Sequence, residues 1–219
     1  MRVDVVIPVF GHAHLLGKAV ASLCRQEIPL SVIVVDDGND PPLEFSEGTK
    51  SGCIERMLVL RRDTNGGISA ARNFGLEHCT GEVVIFLDAD DELQPGALSK
   101  LALELQRNDS DAVFGCVEEF GHGITPSRAA KAHGKPALLA GATLIRRSSA
   151  ESLGRFDESL GVGEFVDYMA RAQRANWRIQ SIDVPVLLRR IHDRNTSWSG
   201  DSADFLRVVR RHLDDLDRG

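Results

Sequence analysis

Phe86-Leu87-Asp88-Ala89-Asp90-Asp91-Glu92 ends an apolar run that begins at Val83, and it sets three aspartates within four residues. The apolar part has the length and composition of a strand buried on both faces. Buried carboxylates repel one another and are costly to desolvate, so a cluster of them is expected where a cation sits between them. Aspartates at alternate positions on a strand end can aim two oxygens at one hard divalent ion, Mg²⁺ or Mn²⁺. The same residue types also make turns and helix caps, and Pro95-Gly96 opens a helix a few residues on. By itself the stretch leaves both readings open.

Upstream, residues 3–9 are β-branched and apolar almost throughout, with Pro8 near the end where a missing donor is tolerated. Residues 14–26 carry Leu15, Leu16, Ala19, Val20 and Leu23 at helical spacing. A second buried strand, residues 31–35, runs into Asp36-Asp37-Gly38-Asn39-Asp40. Strand, helix, strand with short joins predicts a right-handed βαβ unit, with ligands outside the carboxyl ends of the strands. Two strands therefore deliver acidic clusters to one edge. Residues 41–55, rich in Pro and Gly, read as a surface loop, and residues 57–60 as a short third strand.

Asn65-Gly66-Gly67 then turns into an Ala-rich helix whose free backbone N–H groups suit a phosphate. Arg72, about one turn in, is placed to pair with a phosphate or with one of the aspartates. Residues 82–87 form the fourth strand, 95–106 an amphipathic helix and 111–117 a fifth strand.

The composition bounds what this can be. The chain has 219 residues, 42% of them hydrophobic, and a formal net charge of −6, which argues against a nucleic-acid partner. Cys24, Cys53, Cys79 and Cys116 are scattered and read as thiols in a reducing compartment. No apolar stretch approaches the roughly 20 residues that span a bilayer, and the charged start broken by Pro8 does not read as a signal peptide. The expectation is a soluble, cytoplasmic chain.

Val6-Ile7-Pro8-Val9-Phe10, then Val35-Asp36-Asp37-Gly38, then Asn65-Gly66-Gly67 through Arg72-Asn73, then Asp88-Ala89-Asp90-Asp91 together resemble glycosyltransferase family 2. The four motifs match in order and spacing over about the first half of the chain. The resemblance implies a GT-A fold, an α/β arrangement with a mostly parallel twisted sheet flanked by helices. It implies a single domain, with residues 1–117 binding the nucleotide sugar and residues 118–219 the acceptor. It implies an inverting transferase that uses a nucleotide-sugar donor and Mn²⁺ or Mg²⁺.

By the same resemblance Pro8, Val9, Phe10 and Asp37 hold the nucleobase and ribose. Asp88, Ala89 and Asp90 meet the ribose and the diphosphate-bound metal, Asp90 as its direct ligand. Gly67 and Arg72 face the diphosphate.

The second half then has to supply acceptor binding and a base for an acceptor hydroxyl, amine or thiol. Residues 118–136, with Arg128, Lys131 and Lys135, read as a mobile loop. Gly141-Ala142-Thr143 resembles the family's acceptor-side segment and Arg155-Phe156-Asp157-Glu158 its Gly-Phe-Asp-Glu turn. Family members open a later helix with a Glu-Asp pair whose Asp is the base, but here Phe165 takes that place. Glu164 beside it and Asp167 near one turn on are the candidate bases, or else helix N-terminal acids favoured by the dipole.

Residues 177–184 read as a strand, and Arg189 to Ser197 resembles a family segment whose histidine, here His192, can reach the metal or the diphosphate. A closing amphipathic helix, residues 204–216, would pack on the domain or on a second copy in a homodimer. The acceptor stays open among glycan, lipid-linked, small-molecule and peptide classes. Two other readings stay open as well, an idle nucleotide-sugar-binding or partner-binding domain and a nucleotidyltransferase.

Overall fold

The computed structural model describes residues 1–44, 52–121 and 135–192. β1 (Val3–Val9), α1 (Ala13–Leu23) and β2 (Leu30–Asp37) form the expected unit, and β2 lies parallel to β1 from Val3 beside Leu30 to Val9 beside Asp36. β3 (Ile54–Arg62) joins the outer side of β2, and after α2 (Gly67–Leu76) the chain crosses to place β4 (Val83–Phe86) on the other side of β1. All three pairings are parallel. The direction of sheet growth therefore reverses between β1 and β4, the switch point at which such sheets open a crevice.

The remaining strands are β5 (Glu92–Leu93), β6 (Ala112–Gly121), β7 (Thr143–Arg146) and β8 (Ile179–Ile191), and the sheet order is β3-β2-β1-β4-β7-β6-β8-β5. β7 runs antiparallel between β4 and β6, β8 runs parallel to β6, and β5 closes antiparallel on β8. Six of the eight strands among the described residues thus share one direction, and the ends of β1, β2, β4 and β8 fall on one edge.

Strand alternation divides the core. Val5, Ile7 and Val9 face Leu16, Leu23, Leu98 and Leu101 of α1 and α3 (Ala97–Arg107). Val6, Ile33 and Phe86 face the other layer, α2 with α4 (Arg147–Leu153) and α5 (Glu164–Arg174). Gly75 lets α2 come close there, since a Cβ would lie 2.4 Å from Val6 Cγ1. Phe156 meets Phe86 edge-on at 5.0 Å and stacks on Tyr168 at 4.2 Å. Burying each such ring contributes ~1.5–3 kcal/mol.

Several boundaries differ from the expectation. β3 starts at Ile54, inside the expected loop, because among the described residues it is an edge strand paired with β2 and can carry exposed Glu55 and Arg56. β6 continues to Gly121 and β8 to Ile191, because the two strands extend each other as far as Gly121 beside Ile191. α4 and β7 follow an apolar segment whose sequence carries no clear period. Asp91 and Glu92 cap no helix. α3 begins after Gly96, at φ 65°, while Glu92 is drawn into β5 by the edge of β8. The expected closing helix and residues 122–134, with Arg128 and Lys131, lie outside the described residues. Among the described residues no helix is long and apolar enough to cross a membrane.

Candidate active site

Four chain segments meet at the carboxyl edge of the sheet. At the end of β1, Val9 is buried and its carbonyl accepts a hydrogen bond from Asn39 Nδ2 at 2.8 Å, while Phe10 stands 52% exposed. Asn39 Oδ1 also takes the Gly11 N–H at 2.8 Å, so this one side chain ties the exits of β1 and β2 together. A cavity of about 500 Å³ lined by Gly11, His14, Asn39 and Pro41 opens beside this tie, and neither Asp88 nor Asp90 lines it.

Asp36 and Asp37, both buried, end β2. Asp36 accepts from the Asn39 backbone and side chain, from the Leu43 N–H and from Arg61. Burial works against its ionisation, yet these donors win and hold the carboxyl below its usual range. Asp37 accepts from Arg62 at 2.6 Å, Gly66 N–H at 3.2 Å and Gly67 N–H at 3.0 Å. The backbone donors at the start of α2, expected to greet a phosphate, thus meet an internal carboxylate. Gly38, at φ 77°, makes this approach feasible, since a Cβ there would stand 2.5 Å from the Asn65 nitrogen.

The end of β4 is built differently. Arg72 is buried and its guanidinium forks, Nη2 to Asp88 Oδ1 at 2.9 Å and Nη1 to Glu164 Oε1 at 2.5 Å. This fork joins α2, the β4 exit and the first residue of α5. Desolvation opposes the Arg72 charge, but the two carboxylates hold the guanidinium firmly ionised. The Asp88 carboxyl is pushed above its usual range by its recessed setting and by Asp90 and Glu164, against the pull of Arg72. Asp91 is buried and pushed well above its usual range, first by burial and then by Asp88 and Asp90. Ala89, also buried, carries no functional atom beyond its backbone.

Across the crevice, the end of β8 brings His192 Nε2 to 2.8 Å from Asp90 Oδ2. The His12 ring, from the β1–α1 turn, lies edge-on to the His192 ring at 5.1 Å between centroids. Arg190 donates its backbone N–H to Asp91 Oδ1, its Nε to the Asp90 carbonyl and its Nη2 to Glu92 Oε1.

The two candidate bases part company. Glu164 joins Asp88 through Arg72, with its side chain 13% exposed. Asp167, 1% exposed, pairs with Arg171 Nε at 2.9 Å one turn along α5, and Arg171 Nη2 reaches the Arg155 carbonyl. Phe165 is buried among Phe156, Tyr168 and Phe86 and stacks on Tyr168. Pro8, Val9, Phe10, Asp88, Asp90, Arg72, Glu164 and His192 therefore gather at one edge, while Asp37 and Gly67 are engaged with each other. Asn39, His12 and Arg190 escaped the sequence reading. Arg190 lies near a predicted site residue in sequence, two positions before His192.

A family model described as glycosyl transferase family 2 matches residues 4–170. The chain belongs to glycosyltransferase family 2. Within this family the chain is 32% identical over 211 residues to the pre-mycofactocin glycosyltransferase of Mycobacterium tuberculosis (strain ATCC 25618 / H37Rv), covering 89% of itself and 43% of that protein. It is 31% identical over 133 residues to the poly(ribitol-phosphate) beta-glucosyltransferase of Bacillus spizizenii, covering 58% of itself and 21% of that protein. The chain spans less than half the length of these two relatives. Its fold is the GT-A fold, matched by S. aureus TarS 1-349 solved in complex with UDP-GlcNAc. That match has a TM-score of 0.73 and 21% identity, and it covers 97% of this chain and 65% of the other.

Proposed function

We propose that this protein transfers a sugar from a nucleoside-diphosphate donor to an acceptor nucleophile, with inversion at the anomeric carbon and with a divalent ion on the diphosphate. The observation that carries this reading is the facing of Asp90 and His192 at 2.8 Å, beside the Asp88–Arg72–Glu164 fork. UDP is the first nucleotide to test, because TarS, which shares the fold, was solved with UDP and with UDP-GlcNAc.

The residues fit the ion. An octahedral ion held through a donor's phosphates needs only one or two protein ligands, since phosphate and water oxygens complete its shell. Ligands about 2.1 Å from such an ion and at right angles stand about 3 Å apart, close to the spacing of Asp90 Oδ2 and His192 Nε2. Among the described residues no larger set of donors converges, so Asp90 and His192 are the two that would hold it. When bound, the ion stabilises the charge that develops on the departing diphosphate.

The chain's own groups do the rest. Exposed Phe10 offers a flat apolar face to the base. Arg72 holds Asp88 and Glu164 in place on the two arms of its guanidinium. Glu164, the less buried of the two candidates, takes the acceptor proton as the new bond forms, and the diphosphate leaves from the opposite face.

The test is nucleotide release from UDP-sugars with Mn²⁺, followed in Asp90→Ala, Glu164→Gln and Asp167→Asn after each fold is checked by circular dichroism. Asp90→Ala and Glu164→Gln should each lose about 100-fold or more in turnover. Asp167→Asn should lose stability rather than rate. Full activity in Asp90→Ala would sink the metal assignment, and an active Glu164→Gln beside a dead Asp167→Asn would reverse the choice of base. One observation favours a second reading, an idle nucleotide-sugar-binding domain: Phe165, which takes the place the family resemblance gives to the basic Asp, lies in the core. UDP binding without nucleotide release from any UDP-sugar would support that reading.

A further inference from the structure

We propose that Arg190 is a positioning residue, which locks the end of β8 onto the acidic turn after β4 and thereby holds Asp90 and His192 at the spacing a donor diphosphate and its metal require. The inference rests on the role given above to those two residues. Three bonds from one residue make the lock: the N–H to Asp91 Oδ1 at 2.8 Å, Nε to the Asp90 carbonyl at 3.1 Å and Nη2 to Glu92 Oε1 at 3.0 Å.

The way Arg190 grips this turn matters. It holds the backbone of Asp90 and the side chains on either flank of the turn's end, and the Asp90 carboxylate is left to His192. Four carboxylates stand in this turn, Asp88, Asp90, Asp91 and Glu92, and without a fixed cation among them they would spread apart. Arg72 answers Asp88 from one side, and Arg190 answers the far end from the other.

The guanidinium is itself fixed. It lies over the Phe120 ring at 4.3 Å, and Phe120 is the β6 residue paired with Arg190 in the sheet. Glu92 meets a second cation, Arg25 at the end of α1, at 3.6 Å. His192 follows directly on the end of β8, and both side chains reach Asp90, Arg190 its carbonyl and His192 its carboxylate, so the residue that locks the turn also bears on where the imidazole emerges. A lysine could not replace it. The lock needs a planar fork that bonds a carbonyl and a carboxylate in different directions and stacks on a ring, and an ammonium is a point charge. Residues of this kind, bonded to a metal ligand's own support, typically change metal affinity by ~10–100-fold when removed.

The measurement is Mn²⁺ binding in the presence of UDP and without turnover, read by the electron paramagnetic resonance signal of free Mn²⁺, together with thermal melting. Arg190→Ala should weaken Mn²⁺ binding by about tenfold or more, and Arg190→Lys should recover only part of it. Arg25→Ala, which removes the other cation from Glu92 without touching the Asp90 carbonyl, should bind Mn²⁺ as the parent does. If Arg190→Ala fails to fold, Arg190→Lys carries the test alone: affinity equal to the parent overturns the proposal, and a clear loss at an unchanged melting temperature upholds it. Parent-like binding in a folded Arg190→Ala, with Asp90→Ala lacking it, overturns the positioning role and leaves the Asp90 assignment standing. An equal loss in Arg25→Ala would reduce the effect to net charge and overturn it too. If the parent itself binds no Mn²⁺ with UDP, the donor reading fails first and this inference falls with it.

Discussion

Two acidic clusters leave the sheet at the same edge, at the ends of β2 and β4, and their carboxylates meet opposite fates. Asp36 and Asp37 are answered from within the fold: backbone N–H groups, Asn39, Arg61 and Arg62 supply four donors to Asp36 and three to Asp37. Asp88, Asp90 and Asp91 crowd one another instead, and the Asp88 and Asp91 carboxyls are pushed above their usual range. A carboxylate met by backbone and side-chain donors ties its loop together. A crowded cluster carries an electrostatic cost, which a cation placed among its carboxylates would lower.

Four substitutions test this contrast. The largest effect is expected at Arg72, the cation that bridges Asp88 and Glu164. Arg72→Ala leaves the enclosed Glu164 carboxylate without its partner, while half-exposed Asp88 is screened by solvent, and should cost about 3 kcal/mol in urea unfolding. A loss under about 1 kcal/mol would mean that water already relieves the β4 cluster.

Next comes Asp90→Asn, which should cut metal-dependent turnover ~10²–10³-fold while leaving the urea midpoint unchanged or slightly raised, because one repelling charge is gone. A large fall in stability would put Asp90 with the answered carboxylates. Asp37→Asn should behave in the reverse way, losing about 2 kcal/mol of stability as Arg62 loses its countercharge and one of the two oxygens becomes a donor facing other donors. Tenfold weaker UDP binding at an unchanged urea midpoint would make Asp37 a ligand group and erase the contrast.

The smallest effect is at Asp36, where Asn should cost ~1 kcal/mol near neutral pH. Its carboxyl is held low in the folded chain, so its contribution is complete above a pH of about 4 and is lost as pH falls through the lower folded value. The gap between parent and Asp36→Asn should therefore be full at neutral pH and close on acidification. A gap that widened toward low pH would reverse the sign assigned to this group.

Much of this was legible from the residues. The runs that became β1, β2 and β4 are apolar on both faces, and helical spacing marked α1 and α3, because both signals are local and repeat within a few residues. β5 and β7 were not legible. β5 is two residues long and exists because β8 offers an edge, and β7 comes from a small-residue segment without a period. The acidic ends of β2 and β4 look alike as sequence, and nothing in Asp36-Asp37 says that Arg61, Arg62 and a helix start will consume them. Phe165 reads as a missing base, and the structure adds that its ring belongs to the aromatic core.

Which strands are buried, and that two of them end in carboxylates, can be read from neighbouring residues alone. Which carboxylates are answered depends on how the chain packs. The deciding partners lie far along the chain, Glu164 at 92 residues from Arg72 and His192 at 102 from Asp90. Electrostatic balance depends on distance in space, and the order of strands across the sheet sets that distance.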